Sequence, residues 1–338
     1  MKIADLIAQL QTQAQSELDK HIRPGQRVAV LDFPYHANAG DSYIWLGEIA
    51  YLKRRGADIV YVCWDQAYDP ERVKRAVGPD GIVLYHGGGN FGDRWSEPHK
   101  LRLRVLRDFK GHKLLQFPQT VHFDHAENIA ETARLIEEHG DFVLLARDHV
   151  SYQFAKTHFN CTVGLSPDMA FFIGAKAAAG AVCDGLVLAR TDIESAGAKA
   201  VKNLPLERLP GRWRRDDWLV PDWFEVKLAN QFHKLNAPLN RWTWGGRLMA
   251  SLATAVAATR LRRGIRQLSQ GRVILTDRLH VHILCLLLNK EHVVLDNDYG
   301  KISTFHQAWT KPSELTTFVD SFDEAVATLA ARAPARSL

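Results

Sequence analysis

Short runs of β-branched and aliphatic residues alternate along this chain with stretches of helical periodicity, and this alternation constrains the fold most. In the N-terminal half, the runs predict strands at 27–33, 58–63, 81–86, 113–117 and 141–146. Helical stretches follow at 42–55, 99–109, 125–139 and 149–158. Strands that are connected by helices generally pair in parallel. The alternation therefore predicts a parallel sheet with helices on both faces.

A stretch of small residues at 174–184 interrupts the alternation and is typical of a linker. Beyond it, strands are predicted at 184–190, 272–276 and 292–296, and a closing helix at 322–333. A chain of 338 residues exceeds the size of an average domain. We therefore expect two α/β domains, one of residues 1–178 and one of residues 179–338.

The composition is that of a globular protein, with 46% hydrophobic and 24% charged residues. Four cysteines lie beside apolar runs without a C-x-x-C pair, so free thiols in a reducing compartment are expected. The longest apolar run, "ILCLLL", is too short to span a bilayer. The N-terminus has helical spacing without the apolar region of a signal peptide. We expect a cytoplasmic protein, and the net charge of +5 favours anionic partners mildly.

Polar and glycine-rich segments follow several predicted strands, where ligands of doubly wound sheets bind. These segments are "HANAGD" (36–41), "HGGGNFGD" (86–93), "PQT" (118–120) and "RD" (147–148). The candidate binding residues in them, with one in the later "SPD", are Asn38, Gly40, Asp41, Gly87, Gly88, Gly89, Asn90, Asp93, Gln119 and Asp168.

Two of these features also have structural interpretations. Gly87, Gly88, Gly89 and Gly92 formally satisfy G-x-G-x-x-G, but a dinucleotide fingerprint follows the first strand and opens directly into a helix. The segment is therefore either a backbone-lined site for an anion or sugar, or a tight turn. Asp41 is either a ligand contact or the N-cap of the helix at 42–55.

The charged residues near the strand ends are similarly open to two interpretations. Arg147 either points at an anionic substrate or forms an ion pair with Asp148 at the start of a helix. Each of His36, His86 and His122 alone is typical of a surface or hydrogen-bonded loop residue. Their clustering near strand ends raises the expectation of a site modestly.

The segment "TDRLHVHILC" (276–285) places charge between two apolar runs. Burying charge without a partner is costly, so Asp277, Arg278 and His280 require an explanation. The structural one is a local ion pair and a hydrogen-bonded core histidine. Metal binding fits poorly, because the chain has no H-E-x-x-H and because His280 and His282 point differently on a helix. We expect a metal-independent site.

Six motifs occur in order along the chain and together carry a resemblance. They are "NAGD", "GGGNFGD", "FPQT", "ARDHVSYQFA", "SPDMAFF" and "TDRLHVHILCLLLNKEHVVLDNDYGK". The set resembles the polysaccharide pyruvyl transferase family over about 27–175 and 255–310. The family transfers the enolpyruvyl group of phosphoenolpyruvate to a sugar, giving a pyruvate ketal on an exopolysaccharide or cell-surface glycan precursor. The resemblance implies two Rossmann-like domains facing a cleft, as in GT-B glycosyltransferases, without a dinucleotide.

The resemblance also implies residue roles. His280 matches the family's catalytic histidine, and Asp277 is expected to position His280 or Arg278. The residues expected to bind the donor are Arg278, Arg147, Lys301 and Arg190. The loops of the N-terminal domain are then expected on the acceptor side. No cofactor is implied, since phosphoenolpyruvate is a co-substrate.

The segment 196–250 matches no family pattern, and a Trp/Arg-rich insertion is expected at about 205–250. It contains five of the nine tryptophans, interleaved with the arginines Arg212, Arg214, Arg215, Arg241 and Arg247. Trp and Arg suit both lipid headgroups and sugars. One hypothesis is a mobile acceptor-side flap in peripheral contact with the inner membrane or the glycan. The alternative is that the tryptophans pack the insertion onto the second domain.

The expected partners are phosphoenolpyruvate and a glycan acceptor, with undecaprenyl-diphosphate-linked oligosaccharide as the expected form, and no nucleic acid. Two other functions stay open from the sequence. One is a GT-B glycosyltransferase that uses a nucleotide sugar, whose diphosphate would also need Arg278 and the glycine loop. The other is a non-catalytic binder of lipid-linked glycans. Acceptor-dependent phosphate release from phosphoenolpyruvate would distinguish the first prediction from both.

Overall fold

Two parallel sheets organise the protein in a computed structural model that describes residues 1–190, 201–242, 245–296 and 300–332. Contacts between residues divide the chain into two units, which confirms the prediction of an α/β protein with two parallel-sheet domains. The first unit comprises Gln9–Ile173 and Pro221–Arg260. The second unit comprises Met1–Ala8, Gly174–Val220 and Leu261–Leu338.

The sheet of the first unit has the order β2-β1-β3-β5-β6-β7, and the short β4 pairs with β5. Its strands are β1 (Arg27–Leu31), β2 (Asp58–Val62), β3 (Ile82–Tyr85), β4 (Gly88–Phe91), β5 (Lys113–Val121), β6 (Phe142–Ala146) and β7 (Thr162–Leu165). All of the pairings are parallel. The helices up to this point are α1 (Ile3–Leu18), α2 (Ala39–Arg55), α3 (Pro70–Val77), α4 (Ser96–Asp108), α5 (Ala126–His139) and α6 (His149–His158).

Helices cover both faces of this sheet, which is why its strands are almost continuously apolar. Successive side chains of a strand point to opposite faces. Accordingly, Val28 and Val30 of β1 belong to one buried cluster, whereas Ala29 and Leu31 belong to the other. The polar segments that follow the strands are thereby held at the carboxyl edge of the sheet.

The sheet of the second unit has the order β12-β11-β10-β8-β9 and is also parallel. Its strands are β8 (Cys183–Leu188), β9 (Trp213–Asp216), β10 (Gly271–Thr276), β11 (His292–Val294) and β12 (Thr316–Phe318). The later helices are α7 (Trp223–Leu239), α8 (Gly245–Ser269), α9 (Leu279–Leu287), α10 (Lys301–Phe305) and α11 (Phe322–Arg332). Val187, Val273, Leu275 and Val293 lie in the buried cluster of this unit.

The division of the chain differs from the predicted domains 1–178 and 179–338. Residues 221–260, which the sequence assigned to the second domain, belong to the first unit. The reason is packing: Phe232 of α7 lies 4.7 Å from Phe33 between ring centroids. Arg260 of α8 donates to Pro34 O at 2.6 Å and is buried in an ion pair with Glu225 at 3.1 Å.

The segment 205–250 is therefore not a single flap. Its first part adds β9 to the second sheet, where the ring of Trp213 packs on Gly185 so closely that a Cβ there would clash at 2.4 Å. Trp218 is buried. For these two tryptophans, packing onto the second unit is the correct alternative. The later part forms α7 and the start of α8 in the first unit, and Trp244 lies outside the described residues.

Candidate active site

Both sheets reverse their strand order at one point, and ligands of doubly wound sheets bind outside the carboxyl ends of the strands at such a switch point. In the first unit the reversal falls between β1 and β3, and in the second between β8 and β10. Asp32 and His86 follow β1 and β3. Arg190 lies shortly after β8, and Asp277 directly follows β10. Each unit thus brings charged side chains to its own switch point.

At the switch point of the second unit, Asp277 and Arg278 join the ends of β8 and β10. Asp277 Oδ1 accepts a hydrogen bond from Arg190 N at 2.6 Å, and Arg278 Nε donates to Ala189 O at 3.0 Å. The backbone N of Arg278 donates to Thr276 Oγ1 at 3.1 Å. Burial raises the pKa of Asp277, against the opposing effects of the Arg190 N–H group and the two guanidinium groups. Asp277 and Arg278 therefore each have a hydrogen-bond partner that is distant in sequence. These bonds reduce the free-energy cost of burying the two charged side chains.

His280 lies in the first turn of α9, for which Arg278 is the N-cap. Its side chain is half-buried, whereas Asp277 and Arg278 are buried. The first backbone N–H groups of a helix have no intrahelical acceptors, and the helix dipole favours an anion there. The arrangement therefore offers a guanidinium, a helix N-terminus and an imidazole within three consecutive residues.

His282, two residues further on, has a structural role instead. Its Nδ1 lies 2.7 Å from His292 Nε2, and its Nε2 lies 2.8 Å from Thr310 Oγ1. Burial, followed by the neighbouring rings of His292 and His306, lowers the pKa of His282 well below its usual value. The two histidines of the motif thus differ in environment, as their spacing predicts.

Lys301 opens α10, which follows β11, the neighbour of β10 in the sheet. Its side chain is buried, and Asp296 Oδ1 accepts from the backbone N of Ile302 at 3.0 Å. Asn297, Asp298 and Tyr299 of the last sequence motif lie outside the described residues. A donor-binding role of Lys301 stays a prediction.

At the switch point of the first unit, the N-cap of α2 is Asn38 and not Asp41. Asn38 Oδ1 accepts from Gly40 N at 3.1 Å, and its Nδ2 donates to Asp41 Oδ2 at 2.9 Å. His36 Nε2 lies 3.4 Å from the same carboxylate oxygen. The N-cap interpretation of Asp41 is wrong because the chain enters the helix earlier than predicted, so Asp41 is left in the first turn.

The glycine-rich segment forms β4 and is neither a simple turn nor a loop that opens a helix. Gly88 has a φ of 128°, and a Cβ there would lie 3.7 Å from Asp41 Oδ1, so its backbone runs beside that carboxylate. Gly92 has a φ of 127°, and a Cβ there would clash with His122 O at 1.7 Å. The G-x-G-x-x-G match therefore reflects close backbone packing at Gly92 and an approach to Asp41 at Gly88.

Gln119 and Asn90 belong to a buried network that supports this segment. Gln119 Nε2 donates to Asn90 Oδ1 at 2.9 Å and to His86 O at 3.1 Å. Arg102 of α4 donates to Asn90 Oδ1 and O at 3.1 and 3.2 Å, and its guanidinium lies 4.6 Å from the ring centroids of Tyr85 and Phe91. Arg102 could not be identified from the sequence, because nothing in a helical stretch distinguishes a buried arginine from an exposed one.

Asp93 is fully engaged within the protein. Asn128 Nδ2 and the backbone N of Asp124 donate to it at 2.7 Å each, and the backbone N and Nδ1 of His125 at 3.0 Å each. Burial opposes ionisation of Asp93, but these hydrogen bonds outweigh it and lower its pKa to about 2. Asp93 therefore stabilises the segment between β5 and α5 through these hydrogen bonds.

Arg147 and Asp168, predicted on the donor and acceptor sides respectively, form one buried ion pair at 2.6 Å. Arg147 Nε also donates to Thr120 Oγ1 at 2.9 Å. The predicted alternative, a pair with Asp148, is wrong, since Asp148 Oδ1 instead caps α6 by accepting from Ser151 N at 2.7 Å. Arg147 lies in the first unit, whereas Arg190, Arg278 and Lys301 lie in the second.

The protein thus belongs to the class of α/β proteins with two Rossmann-like units, and each unit has charged residues at its switch point. The profile of the polysaccharide pyruvyl transferase family matches residues 38–299. The chain belongs to this family and is a transferase enzyme. This finding favours the pyruvyl transferase prediction over the glycosyltransferase and the non-catalytic binder.

Named relatives agree with the family. Pyruvyl transferase 1 of Schizosaccharomyces pombe is 31% identical over 329 residues, covering 92% of this chain and 77% of that protein. EpsO of Bacillus subtilis, a candidate pyruvyl transferase, is 27% identical over 282 residues, covering 82% of this chain and 84% of that protein. The crystal structure of an uncharacterized protein from Klebsiella pneumoniae has a similar fold, with a TM-score of 0.58, 19% identity and coverage of 92% and 99%.

Proposed function

We propose that the donor is phosphoenolpyruvate and that it binds at the switch point of the second unit. The observation that carries this proposal is the arrangement of Arg278 and His280 at the start of α9, with Arg278 anchored to Ala189 O. Phosphoenolpyruvate carries a carboxylate and a phosphate, which guanidinium groups and helix N-termini bind well. Arg190 and Lys301 are the further cations proposed for this donor.

In the proposed reaction, His280 delivers a proton to C3 of the enol, and positive charge develops at C2. The first sugar hydroxyl adds to C2, and its proton returns to His280. A neighbouring hydroxyl then displaces phosphate from C2 and closes the ketal, and its proton leaves with the phosphate. An imidazole suits this acid–base work, because its unperturbed pKa lies near neutral pH. Asp277, which holds the Arg190 and Arg278 segments together, is proposed to act by positioning them.

The proposed acceptor is a sugar of an exopolysaccharide or cell-surface glycan precursor. The family name refers to a polysaccharide. Asn38, Asp41 and Asn90 near the switch point of the first unit offer the amide and carboxylate groups that sugars need. We propose an undecaprenyl-diphosphate-linked oligosaccharide as the physiological form, used in the cytoplasm at the inner membrane surface.

The test is phosphate release from phosphoenolpyruvate in the presence of candidate glycans, with the glycan product examined by mass spectrometry. The expected product gains one pyruvyl ketal for each phosphate that is released. Transfer of a sugar from a nucleotide sugar under the same conditions would support the glycosyltransferase. Tight glycan binding without turnover of either donor would support the binder.

Activity is expected to survive an excess of EDTA, since the proposed donor site consists of cationic side chains and backbone amides. Among the described residues, no group of three or more His, Cys, Asp or Glu side chains is placed to hold a metal ion. Asp93 and Asp168 are engaged by hydrogen bonds and an ion pair. Loss of phosphate release with EDTA, restored by magnesium or manganese, would contradict the prediction and direct attention to Asp41.

A surface of the first unit suits the proposed membrane contact. We call it the aromatic–basic surface, and it consists of Trp223, Phe224, Val226, Lys227, Lys234, Leu235, Arg241, Trp242, Arg247 and Leu248. Trp223 is 74% exposed and Trp242 is 61% exposed. The opposite face of α7 is buried and carries the one acidic residue within that helix, Glu225, paired with Arg260. Exposed Trp and Phe beside Lys and Arg are typical of helices that lie at an anionic bilayer surface.

Vesicle binding tests this surface. We expect sedimentation with anionic phosphatidylglycerol vesicles and not with neutral phosphatidylcholine vesicles. Changing Lys227 and Lys234 to Gln should weaken binding by about 30-fold, since each basic residue near such a surface contributes about 1 kcal/mol. No helix among the described residues is long and apolar enough to cross a bilayer.

The matched control changes Arg212 and Arg214 to Gln, which removes the same charge at β9 in the second unit. It should leave binding unchanged. A Trp223→Ser, Phe224→Ser variant should lose binding while keeping phosphate release with a soluble acceptor. Equal sedimentation of wild type and all variants, or none by the wild type, would contradict the membrane contact.

A further inference from the structure

The switch point of the first unit contains an acidic residue with a strained backbone, which no sequence motif identifies. Asp32, directly after β1, has a φ of 67°, in the left-handed region that residues other than glycine adopt only at a cost. The backbone on both sides is fixed, because Phe33 N donates to Cys63 O at 2.9 Å and His86 N donates to Leu31 O at 3.1 Å. The chain therefore holds an acidic side chain, partly exposed, where a glycine would be less strained.

His86 lies across the switch point and is held rigidly. Its Nδ1 lies 2.9 Å from Glu48 Oε2, and Glu48 Oε1 accepts from Gly87 N at 2.8 Å. Two glutamine amides, of Gln116 and Gln119, donate to its backbone O at 2.7 and 3.1 Å. The ring is 3% exposed, and its Nε2 has no hydrogen-bond partner among the described residues. A buried polar atom without a partner is costly, so this arrangement is not explained by stability.

Asp32 and His86 influence each other's pKa. Burial raises the pKa of Asp32, and the neighbouring His86, Arg102 and His36 oppose that rise while Asp65 adds to it. The Cys63 thiol and the Tyr85 phenol also face this carboxyl. Burial acts to lower the pKa of His86, but Glu48 outweighs it, with further help from Asp41 and Asp32, and the pKa is raised. A protonated His86 thus counteracts the effect of burial on Asp32.

We propose that Asp32 is a second acid–base residue of the enzyme, the group that accepts the proton of an attacking acceptor hydroxyl, and that His86, which Glu48 holds in place, tunes its acidity. This inference rests on the proposed pyruvyl transfer to a sugar. The balance is complete within that reaction: ketal formation releases two hydroxyl protons, of which one is matched by the proton gained at C3 and the other leaves with phosphate. Asp32 accepts a hydroxyl proton and returns it to solvent, and the phosphate that leaves takes up a proton in turn.

The first test is Asp32→Asn, since asparagine has the same shape and tolerates a positive φ. Acceptor-dependent phosphate release should fall by about 10²–10⁴-fold, the range for loss of a general base. Affinity for phosphoenolpyruvate should stay within about twofold of wild type. The melting temperature should stay equal or rise, because a carboxyl whose charged form is disfavoured by its surroundings is replaced by a neutral amide. Asp32→Gly, which also relieves the backbone, should be more stable and equally inactive.

The second test is the pH profile of kcat/KM for the acceptor. His86→Gln removes a positive charge near Asp32, so the acidic limb should move to higher pH. Asp65→Asn removes a neighbouring negative charge, so the limb should move to lower pH with little change in the maximal rate. A merely structural role of His86 would lower activity equally at every pH.

The outcomes separate this inference from the proposed function. A wild-type enzyme that transfers pyruvate, with Asp32→Asn or Asp32→Gly retaining near wild-type turnover, would overturn the role of Asp32 alone. If the acidic limb of the pH profile were unmoved in both His86→Gln and Asp65→Asn, the proposal that His86 tunes the pKa of Asp32 would be overturned. A wild type without any pyruvyl transfer would overturn the proposed function, and this inference with it.

Discussion

Replacing His280 with glutamine is expected to lower turnover by about 10²–10⁴-fold, the range for loss of a positioned general acid or base. Glutamine keeps a polar side chain of similar reach but cannot deliver a proton. The fold should be retained, because His280 is half-buried and the buried contacts of α9 are made by neighbouring residues such as Val281 and His282. Affinity for phosphoenolpyruvate should also be retained, since the anion is assigned to Arg278.

Steady-state phosphate release and isothermal titration with phosphoenolpyruvate measure the two effects separately. Deuterium incorporation at C3 of recovered phosphoenolpyruvate, in heavy water, should disappear together with turnover. His158→Gln, at an exposed position of α6, is the control and should behave as wild type. If His280→Gln retained near wild-type turnover, the proton at C3 would have to come from another group.

Much of the fold could be predicted, because the central strands carry continuous apolar runs. The predicted strand at 27–33 ends at Leu31 in the structure, since Asp32 leaves the β region of φ. The edge strand β2 was predicted, but the edge strands β7, β9 and β12 were missed. β9 has the sequence "WRRD" and no apolar pattern, and it is a strand only because it pairs with β8.

The site was predictable where residues are neighbours in sequence and not where they meet through the fold. Asp277, Arg278 and His280 are consecutive or nearly so, and their motif made them candidates. The bond from Arg190 N to Asp277 spans 87 residues, and the pair of Arg147 with Asp168 spans 21. No local pattern specifies such partners, which is why Arg147 was assigned to the donor and its buried ion pair was missed.

In the first unit, too, the sequence does not show which distant residues meet. Glu48 lies in the middle of α2, where a sequence suggests a solvated residue, yet it is fully buried against His86 and Gly87. Strand order reverses between β1 and β3, which brings Asp32 and His86 to one point although they are more than fifty residues apart. The sequence signal for this site was an acidic residue at the end of the first strand. The strand order is needed to show that this residue lies at the same switch point as His86.

Arg278→Lys should weaken phosphoenolpyruvate binding by about 30–150-fold, which corresponds to about 2–3 kcal/mol for a charged hydrogen-bonded pair. Lysine keeps the charge but not the planar fork that matches a carboxylate or phosphate. It also loses the bond from Nε to Ala189 O, which holds the guanidinium at the end of β8. Because the side chain is buried, a lysine there would be poorly solvated as well.

The matched control for this change is Arg272→Lys near the opposite end of β10. Arg272 lies at the exposed N-terminal end of β10, whereas Arg278 follows its carboxyl end, where a doubly wound sheet binds ligands. Titration calorimetry should therefore show wild-type affinity for Arg272→Lys and a large loss for Arg278→Lys, with circular dichroism confirming that both are folded. Equal affinities in the two folded variants would mean that the donor anion binds elsewhere, and the cations left to test would then be Arg190 and Lys301.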